Sequence, residues 1–466
     1  MIGDITDGIR RGLRGVGEVF AEPTLRLGVT GLSRAGKTVF ITSLVANLLE
    51  RGRMPGLRAA ATGAIQAAYL QPQPDDTVPR FDYETHLAAM TGPDPHWPDS
   101  TRAVSELRLS LRLRPSGLLG GMRGPRVLHL DIVDYPGEWL LDLGLLDLDF
   151  ASWSRGALER ARAREEAAGF NAALAGLDPA APWDERAAQT VAAAFAAYLA
   201  RAREAGFSDC TPGRFLLPGD LAGSPVLTFA PLPPGPYGRR TIGAEFARRF
   251  EAYKREVVRP FFRDHFARID RQVVLMDVLG AIHAGPRAVE DMRGAMAGIL
   301  GAFRPGRNAF LSEILRGKRV ERILFAATKA DHIHHGQHDR LTAIVEAMMA
   351  EARARADYAG AETRAMSLAA LRATTEDRVA HGDATLDMVR GTLLEDGRRA
   401  AFHPGDLPED PRVLLAPAQA GGDRWLDGDY AVMRFAPQPA RIGQGDGPPH
   451  IRLDRAAEFL IGDRLL

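Results

Sequence analysis

Residues 31–38, Gly-Leu-Ser-Arg-Ala-Gly-Lys-Thr, constrain the fold of this chain more than any other stretch, because they fit G-x-x-x-x-G-K-[ST] at every position. That pattern has a geometric meaning only between a strand and a helix, and both flanks comply. Residues 24–30 (TLRLGVT) read as an apolar strand, and 37–51 read as a helix. In this setting Gly31 and Gly36 let the backbone turn tightly. The loop through Ser33, Arg34 and Ala35 can then aim N–H groups at phosphate oxygens, and the helix start adds partial positive charge. Lys37 is placed to reach the β- and γ-phosphates, and Thr38 to put its hydroxyl on Mg²⁺. Arg34 has two readings: it contacts the nucleotide or the charge developing during hydrolysis, or it pairs with a nearby carboxylate.

The second strand of an expected hairpin, 126–134, ends in Leu128-His129-Leu130-Asp131-Ile132-Val133-Asp134. Its partner is 104–114, where Val and Leu alternate with Ser, Glu and Arg. An acid closing an apolar strand after a phosphate loop is the usual Mg²⁺-side carboxylate. Asp134-Tyr135-Pro136-Gly137 also fits D-x-x-G, in which the Asp holds a metal-bound water and the Gly N–H touches the γ-phosphate. Asp134 is therefore the first choice of ligand and Asp131 the second. Glu138 follows, where many GTPases carry a water-positioning Gln; as a catalytic candidate its carboxylate could order water, but its charge would oppose an attacking hydroxide and the γ-phosphate, which implies slow intrinsic hydrolysis or help from a partner. The Mg²⁺-covering threonine should precede the hairpin, and Thr101 is the choice, with Ser100 as the spare.

Thr328-Lys329-Ala330-Asp331 follows the apolar strand 322–327 and fits [NT]-K-x-D. A carboxylate at Asp331 can accept from guanine N1–H and the exocyclic amine, whereas adenine offers an acceptor there and is repelled. The Lys329 stem can lie along the base. The loop after the last strand, at Ala369 and Ala370, is expected to support the base through backbone N–H groups. His332, His334, His335 and His338 form a cluster whose i, i+4 pair, His334 and His338, invites a metal reading. Its position after the base motif favours a structural loop.

Strands alternating with helices predict an α/β fold, a mainly parallel sheet flanked by helices. From about Trp139 the composition turns to Ala, Arg and Glu, which predicts a large helical insertion. The expected organisation is an N-terminal helix over 1–23, a first core segment over 24–138, and the insertion over 139–240. A second core segment over 241–380 and a C-terminal extension over 381–466 packed on the core complete it. Pro260 is expected to interrupt the long amphipathic helix over 242–269. Residues 52–100 read as poorly ordered apart from a helix near Tyr83–Met90, and Val413–Ala416 and Tyr430–Phe435 as short β pieces.

The remaining composition excludes rather than selects. Equal numbers of basic and acidic residues, 59 each, argue against a global nucleic-acid field. One cysteine, Cys210, excludes an internal disulfide framework. No apolar run is long enough to span a bilayer. The expected location is cytoplasmic, with peripheral contact at the inner membrane through the amphipathic N-terminal residues as the alternative to a helix docked on the domain.

GLSRAGKTVFITSLVANLL, WPDSTRAVSELRL, LDIVDYPGEWLLDL, TKADHIHHGQHDRL and SLAALRAT resemble the YcjX-like family of bacterial P-loop proteins, along almost the whole chain. The resemblance implies a P-loop NTPase core of GTPase type with a helical insertion, guanine-nucleotide binding (GTP/GDP with Mg²⁺) and a stress-response association. It also implies a membrane-protein partner, YcjF-like. The expected function is hydrolysis of GTP to GDP and phosphate by a regulatory switch. The alternatives are an ATPase and a nucleotide-binding scaffold with little turnover.

Overall fold

The computed structural model describes residues 22–31, 35–99, 103–115, 126–301, 320–350, 361–381, 384–422, 424–425, 430–439, 443 and 445–466. The N-terminal helix, Ser33, Arg34, Ser100 and Thr101 thus lie outside the described residues. Seven strands form one sheet in the order β2-β3-β4-β1-β5-β6-β7. They are β1 (Thr24–Gly31), β2 (Ile65–Gln71), β3 (Ser105–Leu113), β4 (Arg126–Asp134), β5 (Arg271–Met276), β6 (Arg322–Ala327) and β7 (Glu362–Ser367). The pairs β4–β1, β1–β5, β5–β6 and β6–β7 are parallel. The β3–β4 pair is the expected antiparallel hairpin, with Ser105 opposite Asp134.

Alternation along the strands divides the interior in two. On β5, Val273 and Leu275 enter one apolar cluster while Val274 and Met276 enter the other; on β6, Leu324 and Ala326 oppose Ile323, Phe325 and Ala327 in the same way. Strands buried on both faces belong to a sheet with helices on each side. One face is covered by α1 (Lys37–Glu50), through Phe40, Ile41 and Leu44, and by α14 (Leu453–Ile461), through Phe459 and Leu460.

The other face carries the helical region over 139–240 that the sequence suggests as an insertion. Its helices are α3 (Gly137–Leu141), α4 (Phe150–Ala163), α5 (Ala168–Ala175), α6 (Glu185–Glu204) and α7 (Gly213–Leu216). The following helices α8 (Ile242–Tyr253) and α9 (Arg259–Asp264) close over it. Trp153 of α4 stacks on Phe250 of α8 at 4.8 Å and meets Phe229 edge-on at 5.5 Å. These aromatics share one continuous cluster with Val274, Phe325 and Ile344 of the core. Its apolar interior is therefore one body with that face of the sheet.

Several local expectations are corrected. The long helix over 242–269 is interrupted before Pro260, as expected, but not broken: a π-helical turn over Lys254–Val258 joins α8 to α9, and Pro260 falls in the first turn of α9. Within 52–100, besides α2 (Tyr83–Thr91), an edge strand β2 pairs antiparallel with β3. Val413–Ala416 is helical, inside α13 (Arg412–Gln419). Tyr430–Phe435 makes a single bridge, Phe435 to Leu393, and no strand. The tail instead builds a three-stranded antiparallel sheet of β8 (Thr375–His381), β9 (Ala384–Thr392) and β10 (Arg399–Phe402). The helices α10 (Val278–Ala284), α11 (Pro286–Gly301) and α12 (His338–Met348) complete the layers. No helix among the described residues is long and apolar enough to cross a membrane.

Candidate nucleotide site

Parallel strands with helical crossovers leave a crevice at their carboxyl ends. A cavity of about 360 Å³ lies there, within the usual range for a small-molecule site. Ala35, Gly36, Lys37 and Thr38 line one end, and Thr328, Lys329 and Asp331 another. The two motifs found separately in the sequence thus share one space.

At the first end, Gly36 has φ 78°, and a Cβ built on it meets nothing within 4 Å. The turn needs a left-handed residue, and open space lies above it, as a phosphate cradle requires. Gly31 serves differently: a Cβ there would come within 2.9 Å of the Leu275 carbonyl, so glycine is required for β1 to pack on β5. No side-chain cap closes the start of α1. Lys37 Nζ lies 3.5 Å from the Gly31 carbonyl oxygen.

Asp134 ends β4, next to β1, and is 1% exposed. Asp131 is committed elsewhere, since Arg108 donates to both of its oxygens at 2.6 and 2.8 Å. The side chain of Tyr135 anchors the D-x-x-G segment: its hydroxyl donates to Gln272 Oε1 and its ring meets Phe261 and Phe266 edge-on. Burial pushes the Tyr135 phenol up, so it stays a neutral donor. A Cβ at Gly28 would come within 2.6 Å of that Gln272 oxygen, so only glycine leaves room for the anchor.

The residues after Gly137 are locked into the insertion. Gly213 of α7 packs so closely on the Glu138 carbonyl that a Cβ would lie 2.4 Å from its oxygen. The Arg214 guanidinium covers the Trp139 ring at 3.3 Å. Asp142 accepts from the Gly213 N–H at 2.8 Å and from the Tyr253 hydroxyl. Burial pushes the Asp142 carboxyl up to about 7 despite those bonds. Glu138 is itself buried, and its carboxylate faces Arg203 of α6 at 3.2 Å.

At the base end, Asp331 is 4% exposed; its Oδ2 accepts from the Ala373 N–H at 2.8 Å, which leaves the second oxygen for the cavity that Asp331 lines. Lys329 adopts φ 61°, and its ammonium pairs with the Asp277 carboxylate, which caps α10. Thr328 donates to the Met276 carbonyl through its hydroxyl at 3.2 Å and its N–H at 2.9 Å, so its side chain pins the strand end. Burial pushes the imidazole of His332 down, keeping it neutral beside Asp331, and it meets Phe435 edge-on at 5.2 Å.

Two expectations change here. The Ala369 N–H donates to the Ile451 carbonyl at 3.1 Å, inside a two-way bridge, so it cannot also support a base; Ala370 and Leu371 line the cavity beside it. The His334 and His338 pair does not share a helix face. His334 is extended and precedes a 3₁₀ turn, while His338 starts α12 with Nε2 2.8 Å from the Ala330 carbonyl oxygen. His334 and His335 instead approach Glu376 of β8, with ligand atoms within 4.8 Å of one another.

Sequence reasoning missed Asp277, Arg203, Arg434 and Phe435. Asp277 follows an apolar strand and could have been found by that signal. Arg434 and Phe435 line the cavity from the tail, Phe435 accepting from the Trp97 indole N–H at 2.7 Å. No local pattern marks them.

The chain matches the YcjX-like family, DUF463, over residues 25–465. It belongs to that family. A relative from Escherichia coli (strain K12), called Ras-like GTPase YcjX, is 39% identical over 458 residues, covering 95% of this chain and 96% of the relative. Another protein of that name, from Shewanella oneidensis, is 34% identical over 482 residues, covering 96% and 95%. The YcjX-like match spans both motifs of the cavity, the insertion between them and the tail that walls the base end.

Proposed function

We propose that this protein binds GTP with Mg²⁺ and hydrolyses it to GDP and phosphate, as a regulatory switch. The observation that carries the reading is the placement of Asp331 at one end of a single cavity with Lys37 and Thr38 at the other. A nucleotide seated there would give its base to Asp331 and its phosphates to the loop. The names of the relatives agree with a guanine nucleotide.

The donors on the phosphate side fit Mg²⁺. Thr38 and Asp134 supply a hydroxyl and a carboxylate, hard oxygens of the kind this ion takes, with the remaining positions left to water and phosphate. Bound Mg²⁺ would neutralise charge on the β- and γ-phosphates. Thr101 is the residue proposed to cover the ion. Within the chain, Lys37 orients the phosphates, Gly36 lets them approach the backbone, and Asp331 selects the base. Gly137 would sense the γ-phosphate through its N–H. Arg34 would approach the phosphates from within the loop.

The switch reading rests on the joint after Gly137. Glu138, Trp139 and Asp142 are each held by Gly213, Arg214 or Tyr253, so a shift at Gly137 would be passed to Gly213 and Arg214. Segments beside the γ-phosphate are the ones that change state in GTPases. Hydrogen exchange tests this: residues 137–147 and 211–217 should be protected differently with GDP and with a non-hydrolysable GTP analogue. Identical protection in both states would contradict the switch. A stress-response role and a YcjF-like membrane partner belong to the same proposal, through family resemblance.

A further inference from the structure

We propose that Arg203, carried by the insertion, is a catalytic residue that stabilises charge on the terminal phosphate, and that Glu138 positions it. The inference deepens the GTPase reading and rests on it. Arg203 lies in the last turn of α6, far in sequence from both nucleotide motifs, yet it lines the cavity together with Lys37, Thr38 and Asp99. It also lines a second cavity of about 90 Å³, walled by Glu138, Asp277 and Cys210. Through Glu138, the neighbour of Gly137, the side chain sits on the phosphate side of the site, with the second cavity beside it.

Its contacts are incomplete for a partly buried charge, 22% exposed at the side chain. Arg203 reaches Glu138 at 3.2 Å, but that approach lacks hydrogen-bond geometry. Arg203 Nε and both Glu138 oxygens are buried without a hydrogen-bond partner. A guanidinium whose role was only to pin the insertion would be expected to spend its donors, because each unmade bond to a charged group is costly. The fork geometry left over suits phosphate oxygens.

In hydrolysis a water oxygen forms a bond to the γ-phosphorus as the bond from that phosphorus to the β–γ bridging oxygen breaks. The electron pair stays on the β-phosphate of GDP. One water proton remains on the attacking oxygen and the other passes to a γ-oxygen, giving dihydrogen phosphate. Negative charge grows on the bridging oxygen, and Arg203 is the insertion's cation placed to meet it. Glu138, one residue past the D-x-x-G segment, would then orient the arginine rather than the water. That arrangement gives a carboxylate at this position a use that does not oppose the attacking group.

The test compares the full chain with Arg203→Ala and Arg203→Lys in single-turnover GTP hydrolysis, in GDP affinity, and in binding of GDP with aluminium fluoride, which mimics the transferring phosphoryl group. Arg203→Ala should slow hydrolysis by about 1,000-fold or more, as for other arginines of this role, and abolish fluoride-dependent binding. GDP affinity should stay within about threefold, a split that a structural pin would not produce. Arg203→Lys keeps the charge and the fold but loses the fork, and should fall between. Hydrolysis within about threefold of the unmodified protein in either variant would overturn the proposal, and so would equal losses in GDP affinity and rate. If the unmodified protein binds GTP without hydrolysing it, the hydrolytic reading fails and Arg203's role with it.

Discussion

Replacing Asp331 by Asn should convert the base preference of the cavity from guanine to xanthine. Asp331 Oδ2 accepts from the Ala373 N–H. An asparagine can keep that bond only by setting its amide oxygen there, which turns its NH₂ group toward the cavity. Guanine presents N1–H and an exocyclic amine, both donors, so two charge-assisted bonds are lost and donors face each other. At about 1.5–3 kcal/mol per bond to a charged group, the loss is about 3–6 kcal/mol. That corresponds to roughly 10²- to 10⁴-fold weaker binding of GTP. Xanthine carries a carbonyl where guanine carries the amine, and that carbonyl can accept from the new NH₂. The assay is competition of GTP, XTP and ATP against a fluorescent nucleotide, with thermal stability as the control. Stability should hold, because the Ala373 bond is retained and Thr374 donates to the Asp331 main-chain carbonyl in either case. GTP affinity within about threefold of the unmodified protein, or no gain for XTP, would refute the reasoning.

Other substitutions test separate parts of the account. Lys37→Ala should weaken GTP and GDP binding by about 10- to 150-fold for each charged bond lost. Its melting temperature should be unchanged, since among the described residues Lys37 Nζ makes only a 3.5 Å contact; calorimetry and titration check both. Asp142 makes stability depend on pH. Its carboxyl rises from an ordinary 3.8 to about 7 in the fold, so its contribution is complete below pH 3.8 and is lost as pH climbs toward 7. Asp142→Asn should flatten the urea-unfolding stability between pH 5 and pH 7, and an unchanged slope would contradict the assignment.

The order of motifs was legible because each carries its own local geometry. The phosphate loop needs its strand, its left-handed glycine and its helix, and all three are contiguous at 24–50. Asp331 likewise follows closely on an apolar strand, in the 3₁₀ turn after β6. The tail was not legible, because its role depends on distant contacts: Phe435 matters through Trp97, His332 and Leu393, none of which lies near it in sequence. The β8–β10 sheet was missed for a similar reason. Its strands mix Arg, Asp and Glu with small residues, and pairs such as Arg378 with Asp387 contribute cross-strand attraction without an apolar stripe. The Ala369 N–H was expected to face a base, and its commitment to the Ile451 carbonyl could not be foreseen locally. Arg203 was invisible because helical-insert composition supplies many arginines, and only the packing of α6 against Glu138 distinguishes one of them.

The central claim is that one cavity reads guanine at Asp331 and triphosphate at Lys37. The most direct measurement is a competition titration on the unmodified protein with Mg²⁺, in which GTP, GDP and ATP displace a bound fluorescent guanine nucleotide. GTP and GDP should compete, and ATP should be weaker by about 100-fold or more, because adenine would set an acceptor against the Asp331 carboxylate. Equal competition by ATP would contradict it.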